Sequence, residues 1–460
     1  MDLLHDIRQA PMTRFQVVTI AIALALIILD GIDVAVMAYA APVLSREWDI
    51  DGVALGLLLS ASLFGMAAGS IFLTPLADKI GRRALTIVAL SLAGTGMILS
   101  IFATGPTDLM IYRIITGLGV GGMMANLIVL VSEYCSDKRR GAILGVYSAG
   151  YPIGATLGGM IVGPLLPAFG WRSVFVVGAA LTVLLLLLSI RALPESLDFL
   201  LTKRPTNALN RINAILAKMK RPALTELPDV HHPRADSVVR EILTPPIRFR
   251  TLMLWIGYAC LVAAYYFVNT WTPKIIATSS GNDSLGVTVG VIANAGGIIG
   301  CLIFGALALR FHTRLLLVAA LTLSALTYIG FGLMFQTLSV AIAIALLLGI
   351  LTTAAIAGFY SSTPEVYSAR SRATGMGWMI GVGRLMSIVA PILVGVLLDG
   401  GLKPENVFYL FAIPLAVAAL CVLALGVSVR RGDRSVTGSA PTAPVPPGDR
   451  RSTVDAQGNQ

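Results

Sequence analysis

Two carboxylates, Asp30 and Asp33, stand in the middle of an apolar segment, residues 15–41, that is long enough to cross a bilayer. An ionised acid at that depth costs roughly 2.5–3.5 kcal/mol on insertion scales, so acids retained there usually serve a function. Three residues apart on a helix, the two acids share one face. Two carboxylates so close in a low dielectric do not easily ionise together, which suits a proton carrier. The structural alternative is that one acid pairs with a basic residue to lock helices, or caps a helix broken at Gly31.

A third charge, Arg384, falls near the middle of another apolar segment, residues 373–398. A planar guanidinium at that depth fits bidentate binding of a carboxylate. The alternative is a permanent salt bridge to Asp30 or Asp33, since an unpaired cation there is as costly as the acids. Both interpretations stay open, and they can be successive states of one cycle.

The composition is that of a membrane protein with many spans. Apolar residues make up 56% of the chain and charged residues 13%, which excludes an ordinary soluble domain. A window of about 19 residues finds apolar spans throughout the chain. We therefore predict an all-α polytopic membrane protein with twelve transmembrane helices. The predicted spans, numbered span 1 to span 12, are 15–41, 53–77, 85–104, 107–132, 141–165, 171–193, 249–277, 287–309, 314–335, 338–363, 373–398 and 406–429.

The basic residues of the short loops are unevenly divided between the two sides. Ten follow spans 2, 4, 8 and 10, against three on the opposite side, Arg46, Arg172 and Lys403. The positive-inside rule then places both termini in the cytoplasm of a multi-pass protein of the inner (plasma) membrane. This bias explains most of the net charge of +10 without a nucleic-acid partner. The ten are Lys79, Arg82, Arg83, Lys138, Arg139, Arg140, Arg310, Arg314, Arg370 and Arg372.

The sequence consists of two related halves. The segment 74–83 after span 2 reappears after span 8 as 305–314, with basic residues at the same two offsets. Parallel six-helix repeats are typical of secondary transporters, whose sites lie at the repeat interface. We predict two six-helix bundles related by an internal repeat. The boundaries are a cytoplasmic N-terminus 1–14, an N-terminal bundle 15–193, a cytoplasmic linker 194–248, a C-terminal bundle 249–430 and a disordered tail 431–460.

Other chemistries find no support in the sequence. The four cysteines are scattered without metal-ligand spacing, and the four histidines all lie outside the apolar spans. We therefore expect no metal site and no cofactor, and histidine is not the proton carrier at the midplane. No nucleophile constellation that would indicate an enzyme is present.

The loop after span 2 reads DKIGRR from Asp78 to Arg83 and resembles the signature GxxxD[RK]xGR[RK] of the major facilitator superfamily, with Thr74 in place of the first Gly. Arg113 begins RIITGLG, which is similar to the superfamily's RxxxGxG element. We expect the loop to latch the two halves in an outward-open state, with Asp78 pairing with Arg82 and facing the N-terminus of the span 11 helix. The alternative is that its basic residues only fix topology. The gating residues predicted here are Asp78, Lys79, Gly81, Arg82 and Arg83.

More narrowly, the chain resembles the aromatic acid:H⁺ symporters. Four segments carry the likeness: DGID from Asp30, the stretch 126–134, VNTWTPK at 268–274, and RATGMGWMIGVGR ending at Arg384. The resemblance implies import of a benzoate-, hydroxybenzoate- or gentisate-type acid by proton symport.

Three polar residues of span 4 are further candidates. The resemblance favours a role for Arg113 in proton coupling, although at about 10 Å from the midplane it is shallow enough to reach the surface. Asn126 is a candidate substrate ligand or a tie between span 4 and a neighbour. Glu133 is a candidate gating residue, paired with Arg139 or Arg140.

Aromatic side chains of the inner spans offer ring contacts worth roughly 0.5–1.5 kcal/mol each. We prefer Trp378 and Tyr360 as the residues that contact the substrate ring, although most such aromatics serve packing or the interfacial belt. The alternative functions are a proton-coupled drug exporter and a transporter of sugar or another organic anion. The exporter pattern GPxxGG is approached but not matched at Gly150–Gly159.

Overall fold

The computed structural model of the chain describes residues 7, 9–227, 242–335, 337–367 and 371–437. Twelve of its helices are long and apolar enough to cross a membrane, which confirms the predicted fold class. The part of the chain that the structure describes contains no strand. The helices of spans 1 to 12 are Arg14–Glu47, Gly52–Phe72, Arg82–Ile101, Pro106–Tyr134, Arg140–Phe169, Arg172–Ala192, Pro245–Ser280, Asp283–Ala308, Thr313–Met334, Leu338–Val366, Arg372–Asp399 and Pro404–Thr437.

Local sequence signals set where several spans begin. Asp51 caps span 2 by accepting a hydrogen bond from the Ala54 backbone N–H at 2.7 Å, and Asn282 caps span 8 in the same way. Pro106 and Pro245 occupy first helical positions, where the missing N–H costs no hydrogen bond. Short polar turns therefore separate long apolar helices.

The two halves repeat the same packing. Span 1 packs on span 5, span 2 on span 4, and span 3 on spans 4 and 6; span 7 packs on span 11, span 8 on span 10, and span 9 on spans 10 and 12. Glycines allow the closest of these approaches, since a Cβ on Gly117 of span 4 or Gly349 of span 10 would overlap the backbone of its partner helix. Exposed leucines such as Leu184, Leu302 and Leu420 lie on the outside of the bundle, as lipid contact requires.

The linker is partly folded against the N-terminal half. It forms helices Leu197–Lys203 and Ala208–Lys218, whose side chains Leu200, Ile212 and Leu216 are fully buried together with span 4. Residues 228–241 of the linker lie outside the described residues. Span 12 continues to Thr437, seven residues into the segment predicted as a tail, and 438–460 lie outside the described residues.

The halves contact each other at the ends of their spans that lie opposite the N-terminus of span 1. The Asp399 carboxylate of span 11 accepts hydrogen bonds from the backbone N–H groups of Gly52 and Val53 at 2.8 and 2.7 Å, at the start of span 2. Arg46 at the end of span 1 pairs with Asp283 at the start of span 8. These contacts join the two halves at that end of the bundle.

Candidate substrate and proton site

Both acids of span 1 are buried in an unbroken helix. Asp30 is 3% exposed and Asp33 is 2% exposed, and the helix runs through Gly31 without a break, so neither acid caps a broken end. A Cβ on Gly31 would overlap the Tyr151 carbonyl oxygen of span 5. The glycine between the acids therefore lets span 5 pack directly against span 1.

Asp33 is held by Arg113. The two guanidinium nitrogens Nη1 and Nη2 donate to Oδ1 and Oδ2 of Asp33 at 2.5 and 2.7 Å, which is bidentate geometry. Arg113 is completely buried, so the alternative that its side chain reaches the surface does not hold in this structure. Its long side chain turns into the bundle because a carboxylate is available there. Ser62 of span 2 adds a long hydrogen bond to Asp33 at 3.4 Å.

Asp30 lies one turn away and has no such partner. Its Oδ1 is buried and makes no hydrogen bond within the described residues. A cavity of about 10 Å³, the room for about one water molecule, lies between Asp30 and Asp33. Apart from the acids, its lining is mainly apolar side chains of spans 3 and 4, such as Leu90 and Met123. Of the two acids, Asp30 is the one whose charge is not already neutralised by an ion pair.

Arg384 is the second cation at this depth, and it has no carboxylate against it. Among the described residues its side-chain contact is Nη1 to the Met66 sulfur at 3.3 Å, and no ion pair forms. Asp30 is close enough to interact with its charge without touching it. The alternative of a permanent salt bridge from an acid of span 1 to Arg384 is therefore not observed among the described residues in this conformation, and Arg113 pairs with Asp33 instead.

The face of span 11 that carries Arg384 is open on the N-terminal side of that residue. On the C-terminal side of Arg384, this face packs on span 2, where Ser60 donates to the Ile388 carbonyl at 2.8 Å. On the N-terminal side, Gly377 and Gly381 are exposed, and no described atom lies within 4 Å of the place where a Cβ would stand on either. Arg384 therefore lies where the contact between the halves ends.

Three phenol groups lie near Arg384. Tyr258 and Tyr266 of span 7 and Tyr360 of span 10 all lie close enough to interact with its charge. The hydroxyl oxygens of Tyr258 and Tyr360 are 3.0 Å apart and share a hydrogen bond. Tyr258 was missed in the sequence, although Tyr258, Tyr265 and Tyr266 recur at helical spacing in span 7.

Two of the predicted substrate ligands lie elsewhere. Trp378 is 50% exposed, stacks on Trp255 with ring centroids 5.8 Å apart, and points roughly 120° around the helix from Arg384. It shares that face with exposed Leu385. The side-chain nitrogen of Asn126 donates to the Arg82 carbonyl at 2.7 Å and to the Thr86 hydroxyl at 2.9 Å, which fits the alternative that it ties helices together.

The predicted gating loop binds the linker. Arg82 pairs with Glu133 at 3.3 Å and lies 3.9 Å from Asp198, so its expected pairing with Asp78 is wrong. Glu133 also accepts a hydrogen bond from the Ser196 hydroxyl at 2.6 Å. Glu133 therefore pairs with Arg82. The side chains of its predicted partners, Arg139 and Arg140, lie outside the described part of the structure.

The rest of the loop is held by Glu195, a carboxylate of the linker that lies next to it. The Arg83 backbone N–H donates to Glu195 at 3.0 Å, and Gly81 adopts φ +99, with Glu195 filling the place of a Cβ. Glycine is needed there for both reasons. Asp78 and Lys79 are exposed, and neither forms an ion pair with a described residue. The acids Glu195 and Asp198, adjacent to the helix cap Ser196, were missed in the sequence.

Comparison with known proteins identifies the class. The model of the Major Facilitator Superfamily matches residues 23–347, and the chain belongs to that family of transporters, whose members are not enzymes. The fold agrees, because the chain is similar to the xylose transporter XylE from E. coli in a partially occluded inward-open conformation, with a TM-score of 0.70, 16% identity, and coverage of 89% of this chain and 97% of that one.

Relatives of known transport function cover nearly the whole chain. It is 28% identical over 431 residues to the 4-hydroxybenzoate transporter PcaK of Pseudomonas putida, covering 93% of this chain and 96% of that protein. It is 30% identical over 458 residues to the benzoate transport protein of Acinetobacter baylyi, covering 95% and 94%. The resemblance to aromatic acid transporters drawn from the motifs is confirmed.

Proposed function

We propose that the chain imports an aromatic carboxylate together with protons, by alternating access, across the inner membrane. The observation that carries the proposal is Arg384, a cation at midspan that has no carboxylate partner among the described residues and lies near phenol rings and open space. A buried charge is stable only when it is paired or hydrogen-bonded, so such a site favours an anion as its ligand. The relatives that carry 4-hydroxybenzoate and benzoate support an aromatic acid.

The proposed coupling assigns separate roles to the acids. Asp33 forms an ion pair with Arg113, and this pair holds spans 1 and 4 together. Asp30 forms no ion pair with a described residue, and an ionised Asp30 would be attracted to the charge of Arg384 nearby. When a substrate carboxylate binds Arg384, it takes over that cation, and an ionised Asp30 loses its favourable neighbour. Binding of the anion therefore favours uptake of a proton at Asp30, and the empty site favours its release.

Alternating access is supported by the way the halves contact each other. Their contacts at Asp399, Arg46 and Ser60 lie outward of Arg384, while Gly377 and Gly381 lead inward from it without obstruction. These contacts support the proposal that the structure is in an inward-open state. The excess of basic residues in the loops on that side supports a cytoplasmic location for the open side and for both termini.

Uptake by cells that produce the protein tests the proposal. We expect accumulation of ¹⁴C-benzoate or ¹⁴C-4-hydroxybenzoate to exceed that of cells with an empty vector, to be competed by unlabelled aromatic acids, and to collapse on addition of a protonophore. Sugars and cationic drugs should not compete, because neither places a carboxylate at Arg384. Sodium-dependent uptake that survives the protonophore would contradict the proton coupling, and competition by sugars alone would contradict the substrate.

A further inference from the structure

The hydroxyl groups of Tyr258 and Tyr360 form a pair beside Arg384 that the transport of benzoate itself does not require. They come from spans 7 and 10, and their oxygens are 3.0 Å apart. The Tyr258 ring is buried, with Phe359 packed edge-on at 5.7 Å, while Tyr360 is partly exposed. One partner is thus fixed by packing and the other is accessible.

The sequence next to Arg384 creates the space for this pair. A Cβ on Gly383 would stand 2.5 Å from Cε1 of Tyr258, so the glycine lets that ring lie directly against span 11. Both phenol groups are close enough to Arg384 to interact with its charge. A ligand whose carboxylate is on Arg384 therefore has the two hydroxyls within its immediate surroundings.

The chemistry of the pair fits a phenol. One tyrosine donates to the other, which leaves one hydroxyl proton and several oxygen lone pairs available for a third group. A ring hydroxyl both donates and accepts, so it can join the pair without leaving any group unsatisfied. A ring without a hydroxyl leaves the two tyrosines bonded to each other, so it incurs no penalty of the kind that makes a polar site reject such analogues strongly.

We propose that Tyr258 and Tyr360 bind a ring hydroxyl at the end of the substrate away from its carboxylate, and so give the transporter a preference for hydroxylated aromatic acids. The inference rests on the proposed binding of the carboxylate at Arg384. One neutral hydrogen bond predicts a preference of roughly 3- to 10-fold, rather than exclusion of benzoate. A 2-hydroxyl should gain nothing, because it bonds to its own carboxylate.

The test compares inhibition constants of benzoate and of 2-, 3- and 4-hydroxybenzoate against uptake of ¹⁴C-benzoate. The variants are Tyr258→Phe and Tyr360→Phe, which remove only a hydroxyl. The control is Tyr328→Phe, whose buried hydroxyl donates to the Ala264 carbonyl at 2.7 Å and touches neither tyrosine. Uptake of benzoate by a variant shows that the variant is folded and active. One variant that still takes up benzoate is enough to test the preference for a ring hydroxyl.

We expect the wild type and the control to bind 3- or 4-hydroxybenzoate roughly 3- to 10-fold more tightly than benzoate. In Tyr360→Phe or Tyr258→Phe this ratio should fall toward one, because loss of the hydroxyl weakens binding of 3- or 4-hydroxybenzoate more than binding of benzoate. An unchanged ratio in both variants, with benzoate still bound, overturns the inference alone. A wild type that binds none of the four acids overturns the proposed function itself.

Discussion

Replacement of Arg384 by Lys is the most informative single change, because it keeps the positive charge and removes the planar guanidinium that can bind both oxygens of a carboxylate. Arg384 makes no ion pair with a described carboxylate, so its guanidinium is available to a ligand. A guanidinium can donate two parallel hydrogen bonds to one carboxylate, whereas an ammonium acts as a point charge on a flexible stem. The variant therefore separates recognition of carboxylate shape from simple attraction of an anion.

The expected loss follows from the hydrogen bonds involved. If Arg384→Lys loses one charge-assisted hydrogen bond, worth about 1.5–3 kcal/mol, affinity falls by about 10- to 150-fold. Truncation to Ala should cost more, about 2–5 kcal/mol, because the anion then enters an apolar environment unpaired. The two variants should rank in that order.

The assay is the KM of ¹⁴C-benzoate uptake at matched amounts of protein in the membrane, together with competition by methyl benzoate. Arg172→Lys serves as the control, because Arg172 lies at the outer surface, half exposed, 3.6 Å from Glu47. We expect the control to resemble the wild type and the ester not to compete. A near-normal KM in Arg384→Lys, or an ester that competes as well as the acid, would show that Arg384 is a structural partner of Asp30.

Three further outcomes follow from the contacts around the site. Asp30→Asn should lose protonophore-sensitive accumulation but keep exchange of internal for external substrate, measured by counterflow. Asp33→Asn should leave Arg113 buried without its carboxylate, a loss of about 3–5 kcal/mol that lowers the amount and thermal stability of the protein in the membrane; normal stability would contradict the structural role given to Asp33. Asp399→Asn should weaken the hydrogen bonds to the start of span 2 and favour the outward-open state, seen as a longer distance between spin labels on the outer ends of the two halves.

The fold could be predicted because length and hydropathy alone decide which segments cross a bilayer. Each long apolar run between polar turns became one helix, and the repeat around residues 74–83 and 305–314 anticipated the matching packing of the two halves. The linker helices were less accessible to this reasoning. Their burial depends on a surface made by the ends of spans 1 and 4, which no local pattern displays.

The depth of the charged site residues along their spans could be predicted from the sequence, but which of them form ion pairs could not. The positions of Asp30, Asp33 and Arg384 along their spans placed them near the midplane. Which arginine meets which acid depends on how each helix is rotated, and apolar spans carry little amphipathic signal to fix that rotation. Arg113 therefore pairs with Asp33, one of the two acids that the salt-bridge alternative assigned to Arg384. For the same reason, Trp378 could not be told apart from an inward-facing aromatic, since lipid and substrate both favour such a ring.

Coupling of benzoate entry to proton entry at Asp30 is tested most directly with purified protein in liposomes that contain a pH-sensitive dye, after subtraction of empty liposomes. We expect an inward benzoate gradient to acidify the interior through the wild type, and an imposed inward proton gradient to drive benzoate to accumulate. Both effects should disappear in Asp30→Asn, while exchange of benzoate continues. Benzoate transport without proton movement, or coupled movement that survives in Asp30→Asn, would contradict the account.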